Sequence, residues 1–164
     1  MKRLVISLVL TAMGLGEIFA QSVLNGEGRS VNVACDAVHF DYYNGLACVI
    51  FGDRYVFVDG EGKMLPQKYD AVGFFDSNNL CVVQIGDKYG VVDPSASQVL
   101  AVKYDSIGDF SPEGFAEIVL NGKTGFINTS AQVVVAPKYS AVGTPSESGL
   151  RWVNVGGTID ENGE

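Results

Sequence analysis

Phe115-Ala116-Glu117-Ile118-Val119-Leu120-Asn121-Gly122-Lys123-Thr124-Gly125-Phe126-Ile127-Asn128 decides the fold of this chain. Two β-rich runs flank an Asn-Gly pair, the strongest short-range hairpin signal, because both central positions of a type I′ turn need positive φ. Side chains alternate along a strand, so Ala116, Ile118 and Leu120 share one side and Phe115, Glu117 and Val119 the other. The first set is expected to be core. The second, which admits Glu117, is expected to be half-exposed or packed between neighbouring units.

The same hairpin recurs upstream. Ala47/Val49/Phe51 and Cys81/Val83/Ile85 correspond to the core set, Leu46/Cys48/Ile50 and Leu80/Val82/Gln84 to the other. Gly52-Asp53 and Gly86-Asp87 stand at the turn. Cys35-Asp36, Tyr69-Asp70, Tyr104-Asp105 and Tyr139-Ser140 keep the beat at spacings of 34, 35 and 35 residues, with Lys68, Lys103 and Lys138 before the tyrosines. A second turn follows each hairpin, at Asp59-Gly60-Glu61-Gly62 and Asp93-Pro94-Ser95, and a further strand runs through Val133-Val134-Val135 and its equivalents. Recurrence at one fixed phase marks a repeat architecture, and no helical period interrupts it. The chain therefore reads as all-β, a single domain over 21–164. It comprises a half-repeat at 24–34, repeats at 35–68, 69–103 and 104–138, and an incomplete repeat at 139–164. Short antiparallel hairpins of this kind are expected to form an open repeat array, whose terminal units are normally atypical. The alternative is a closed, propeller-like ring of four units, in which the N-terminal half supplies the strand missing after Ile159-Asp160-Glu161-Asn162-Gly163.

Residues 1–20 carry a different signal. Lys2 and Arg3 precede an apolar run from Leu4 to Leu15, and Ile18-Phe19-Ala20 offers a small residue before Gln21. That is the pattern of a secretory signal peptide, and the run falls short of the ~20 apolar residues that span a bilayer. Export to the periplasm, cell surface or medium is the expectation, with no membrane insertion once the signal is removed. The whole sequence has 11 basic and 19 acidic residues, a net charge of −8. Without Lys2, Arg3 and Glu17 the balance is 9 against 18, or −9. Such a surface repels phosphate backbones, which argues against a nucleic-acid partner. The three cysteines, Cys35, Cys48 and Cys81, show no CxxC spacing, and the single His39 is not placed with them as a zinc ligand. Because Cys48 and Cys81 fall on opposite strand faces, they are expected to lie apart as free thiols.

The run Phe110-Ser111-Pro112-Glu113-Gly114-Phe115-Ala116, then Asn121-Gly122-Lys123-Thr124-Gly125-Phe126-Ile127-Asn128, then Pro137-Lys138-Tyr139 resembles the WG (KWG) β-repeat of bacterial surface and secreted proteins. The resemblance covers essentially all of 21–164 and implies a repeat type without shared catalytic residues. The chain departs from it where the family has Trp, which is Tyr55, Tyr89 or Thr124 here. The next Gly is kept as Gly90 and Gly125 but is Val56 in the first copy.

No catalytic constellation emerges, and no catalytic residue, metal ligand or cofactor site is assigned. The Tyr-Asp pairs could form a sugar-stacking ladder, but recurrence at one phase favours tyrosines packed between repeats and Asp side chains capping turns. Lys68, Lys103 and Lys138 are expected to form a solvated row on a strand edge, where lysine discourages edge pairing. Asp59-Gly60-Glu61-Gly62 and Asp160-Glu161-Asn162-Gly163 lack the spaced oxygen ligands of a calcium loop and read as turns. His39, which stands where other copies have Gly73, Gly108 and Gly143, has no evident partner. Asn128-Thr129-Ser130 is a formal glycosylation sequon. The expectation is a non-enzymatic binding or scaffolding module for a protein or glycan partner, with the ligand-binding residues unassigned. A cell-wall or polysaccharide hydrolase using a pair such as Asp70 and Asp105 is the alternative. A truncated fragment of a longer repeat protein is another.

Overall fold

A computed structural model of the chain describes residues 20–25, 27–143 and 153–154. The leader-like segment 1–19 and most of the incomplete repeat, including the stretch after Gly157, lie outside the described residues. An N-terminal hairpin pairs β1 (Ala20–Leu24) with β2 (Ser30–Ala34). The first four-stranded sheet contains β3 (Ala37–Tyr43), β4 (Leu46–Phe51), β5 (Arg54–Asp59) and β6 (Met64–Tyr69). The second contains β7 (Ala71–Val72), β8 (Cys81–Ile85), β9 (Lys88–Val92) and β10 (Gln98–Tyr104). The third contains β11 (Ser106–Ile107), β12 (Phe115–Leu120), β13 (Lys123–Asn128) and β14 (Val133–Tyr139). A short pair, β15 (Ala141–Val142) and β16 (Val153–Asn154), begins a fourth. Each four-stranded sheet is an antiparallel meander in chain order. Among the described residues no strand of the N-terminal hairpin pairs with β15 or β16, and the small antiparallel sheets follow one another as tandem units without closing into a barrel.

The decisive hairpin forms with Leu120 opposite Lys123 and Phe115 opposite Asn128. Asn121 (φ 53°) and Gly122 (φ 69°) are both left-handed, as a type I′ turn requires. In the earlier copies only the first central residue, Gly52 or Gly86, has positive φ, the pattern of a type II′ turn. Each unit has one strand more than the hairpin and third strand read from the sequence. The leading strands β7 and β11 are two residues long, too short to show a period. They are held by recurring bonds: the N–H of Asp70, Asp105 and Ser140 donates to the carbonyls of Gln84, Val119 and Asn154.

The sheets stack face to face, and three apolar clusters fill the seams. Val23, Val33 and Cys35 meet Ala47, Val49, Val56 and Val58 beneath the N-terminal hairpin. Leu46, Cys48, Phe57 and Tyr69 of the first sheet meet Val72, Cys81, Val83 and Val92 of the second. Leu80, Val91, Leu100 and Tyr104 of the second meet Ala116, Ile118 and Ile127 of the third. The set read as core is thus the face turned toward the preceding unit, and its opposite is turned toward the following one. Two expectations need correction. Phe51 and Ile85 belong to the core set by alternation but are exposed, because they sit beside the hairpin turn where the stack ends. Cys48 and Cys81 do lie on opposite strand faces, yet those are the faces that meet between sheets, so both thiols share one cluster. They remain free, and burial pushes both up to about 12.

The glycine that recurs at Gly90 and Gly125 has a steric cause. A Cβ on Gly125 would lie 2.4 Å from the Val135 carbonyl oxygen and 2.6 Å from the Pro137 nitrogen, and one on Gly90 2.8 Å from the Leu100 oxygen. Here the edge strand bulges across the hairpin, with register shifts between Leu100 and Tyr104 and between Thr124 and Phe126. Tyr69 lies ten positions after Asp59, whereas Tyr104 and Tyr139 lie eleven positions after Asp93 and Asn128. With one residue fewer in β6, Val56 pairs directly with Lys68 and its side chain is buried. The glycine and the extra edge-strand residue belong together.

Candidate binding surface

Most of the recurring polar chemistry is consumed in holding the units together. One carboxylate oxygen of Asp36, Asp70 and Asp105 accepts the turn N–H of Gly52 (2.6 Å), Gly86 (2.7 Å) and Gly122 (3.2 Å). The other oxygen of Asp70 pairs with Arg54, and that of Asp105 with Lys88, each a cation of the preceding sheet. Lys123 reaches Ser140 in the same way, at 2.7 Å. These pairs are partly exposed and screened by solvent, so each is individually weak, but together they tie one sheet to the next at a recurring point. The Lys88 ammonium and the Gly122 N–H hold the Asp105 carboxyl below its ordinary value.

The tyrosines follow suit. Tyr69 and Tyr104 are buried, so neither offers a free face for a sugar, and Tyr139 is half-buried. Lys68, Lys103 and Lys138 lie exposed on the edge strands β6, β10 and β14, over the rings of Phe51, Tyr104 and Tyr139. The calcium-like loop is a turn: Asp59 Oδ1 accepts the N–H of Glu61 and Lys63, both at 3.0 Å. Asn25, Asp93 and Asn128 repeat that turn. Asn128 also donates through Nδ2 to Gln132 at 3.0 Å, so the sequon side chain is engaged on both ends. Asp160 to Gly163 fall outside the described residues.

What does not repeat lies along the leading-strand edge. His39 is not partnerless, as its sequence context suggested. Its ring stacks on Phe74 (5.0 Å, 24°) and meets Tyr55 edge-on (4.9 Å, 82°). Its Nε2 is 2.8 Å from the Val72 carbonyl oxygen; since a carbonyl only accepts, Nε2 carries the proton. Tyr43 stacks on Phe75 at 5.0 Å and donates to Asn79 Oδ1 at 2.9 Å, which also accepts from Asn44. Phe74, at the tip of this cluster, is 69 % exposed.

In the next seam the position of His39 is taken by Gly73, and a cavity of about 360 Å³ opens between the second and third sheets. Phe74, Asp76, Leu80, Asp109 and Phe110 are among its lining residues. A smaller cavity of about 290 Å³, reaching Ser22, His39 and Asp41, lies under the N-terminal hairpin. Sequence reading missed Phe74 and Phe75 because it looked for recurrence. Their signal was a departure: Phe74-Phe75 stands where other units have Phe40-Asp41 and Asp109-Phe110.

A family model described as the WG containing repeat matches three tandem segments, at residues 57–89, 89–123 and 125–158. This chain belongs to the WG-repeat family. The WG-repeat matches are phased from hairpin to hairpin rather than sheet to sheet, beginning in β5, at the start of β9 and in β13. They leave β1 to β4 outside, so the recognised repeats are narrower than the whole of 21–164. The Gly of the WG motif is the residue under the bulged edge strand, at Gly90 and Gly125. No curated protein gives a significant match.

Proposed function

We propose that this WG-repeat chain is a non-enzymatic binding or scaffolding module, exported to the periplasm, cell surface or medium, that engages a protein or glycan partner through its leading-strand edge. The observation that carries this reading is the division of labour among side chains. Repeated tyrosines, carboxylates and cations are spent on seams and turns. Phe74 stays exposed beside the adjoining cavity, and an exposed aromatic beside a cavity is a frequent recognition element. The leader-like start supports export. A hydrolase reading is disfavoured because Asp70 and Asp105 are each tied to a turn and a cation, and Asp105 is held low rather than raised toward the range of a general acid. The test is a glycan array and an affinity capture run side by side with the protein and its Phe74→Ala variant. A partner retained by the parent and lost by the variant is expected. Capture indifferent to Phe74 would move the interface elsewhere and overturn the reading.

A further inference from the structure

We propose that the cavity between the second and third sheets is a socket for a basic side chain, arginine above all, presented by a protein partner. The proposal rests on the binding-module reading and makes it specific. Leu80, Val82, Val91 and Ile127 give the cavity an apolar floor, suited to the methylenes of a long side chain. Phe74 and Phe110 flank it, and an aromatic face attracts a cation, guanidinium most often. Asp76 and Asp109 bring two carboxylates, and among the described residues no Lys, Arg or His lines the cavity. Asp76 Oδ1 accepts the N–H groups of Asn78 (2.8 Å) and Leu80 (2.9 Å) and its Oδ2 accepts from Asn78 Nδ2 (3.3 Å), so it brings fixed negative charge rather than a free acceptor. Asp109 is exposed and enters no ion pair among the described residues. An uncompensated negative site on a chain of net charge −8 favours a cation over a neutral sugar.

The space is spare rather than demanded by the backbone. Gly73 and Gly108, both lining the cavity, do not adopt positive φ. A Cβ on Gly73 would come no nearer than 3.4 Å to the Val82 oxygen, and one on Gly108 no nearer than 3.7 Å to the Glu117 oxygen. The preceding seam shows the filled counterpart, with the His39 imidazole at the position of Gly73. Gly73→His is therefore a plug already built into this fold once.

The experiment titrates the full chain, purified as exported, with N-acetyl-arginine methylamide and with its neutral citrulline isostere, followed by amide chemical shifts. Saturable millimolar binding is expected for the arginine compound, with shifts centred on residues 73–80 and 107–110. The citrulline compound should bind about tenfold or more weakly, a difference of about 1.4 kcal/mol. Asp109→Asn should weaken arginine binding about fivefold. Gly73→His should abolish it while the thermal melt stays within a few degrees of the parent. Equal binding of the two compounds, shifts centred elsewhere, or arginine binding that survives Gly73→His would overturn the socket. A glycan whose binding is lost on Gly73→His, with no response to arginine, would also refute it while leaving the broader binding-module reading standing.

Discussion

Gly125→Ala puts the bulge account at risk in one substitution. The added methyl would sit 2.4 Å from the Val135 oxygen, 2.6 Å from the Pro137 nitrogen and 2.8 Å from the Ala136 carbonyl carbon. All three are backbone atoms of β14, so no side-chain rotation relieves the clash, and the edge strand must move by roughly the shortfall from a normal contact of about 3.5 Å. Overpacking of this kind costs about 1–3 kcal/mol. The loss of unfolded-state freedom on replacing Gly returns about 0.4–1 kcal/mol, leaving a net destabilisation of about 1–2 kcal/mol. Gly108→Ala is the matched control, since its nearest contact would be 3.7 Å, and it should be neutral or slightly stabilising. Urea unfolding followed by circular dichroism separates them: with a slope of about 1–3 kcal/mol per molar urea, the Gly125→Ala midpoint should fall by about 0.5–1 M. If both variants melt together, the edge strand does not cross Gly125 as described, and the link between that glycine and the seven-residue edge strand β14 fails.

Three other outcomes are expected. Cys48 and Cys81, buried and pushed up to about 12, should resist iodoacetamide at pH 8 in the folded protein and react fully once unfolded. Rapid labelling of the native state would contradict their burial. Burial raises Asp93, but hydrogen bonds from Ser95 and Ser97 together outweigh it and hold the carboxyl low, and Lys88 and the Gly122 N–H hold Asp105 low. A depressed carboxyl contributes stability above its unfolded value, near 4, and loses it as pH falls through the lower folded value. Stability should therefore drop on acidification below about pH 4, and Asp105→Asn should flatten that dependence; an unchanged slope would count against the Lys88–Asp105 pairing. If the leader is cleaved after Ala20, N-terminal sequencing of the exported protein should begin at Gln21, and an intact Met1 would argue against export.

The hairpins were legible because Asn121-Gly122 and its glycine counterparts pin the register, and alternation then assigns every side chain to a face. What alternation alone does not say is that both faces of a middle sheet meet neighbours. Cys48 and Cys81 were therefore placed apart although stacking brings their faces together. The leading strands β7 and β11 escaped notice because two residues carry no period. Val56 looked like an arbitrary departure from Gly90 and Gly125 until the one-residue-shorter β6 supplied its reason. Tyr69 and Tyr104 pack in seams and Asp70 and Asp105 accept turn N–H groups, in keeping with their fixed phase, whereas Lys68, Lys103 and Lys138 lie exposed on edge strands outside the seams. The surface proposed to bind was not legible for the converse reason. Phe74 and the cavity beside Gly73 arise where the repeat is broken, and only the three-dimensional neighbourhood shows that His39 fills one seam while Gly73 leaves the next open.

Face-to-face stacking of successive sheets underlies every assignment above, and nuclear Overhauser contacts across the seam between the second and third sheets test it most directly. With methyl-labelled protein, the Ala116 and Ile118 methyls are predicted to show contacts to Leu80, Val91, Leu100 or the Tyr104 ring, all in the preceding sheet. Contacts from Ala116 and Ile118 confined to their own sheet, with none to those four residues, would contradict the stack and with it the assignment of the repeated residues to seams.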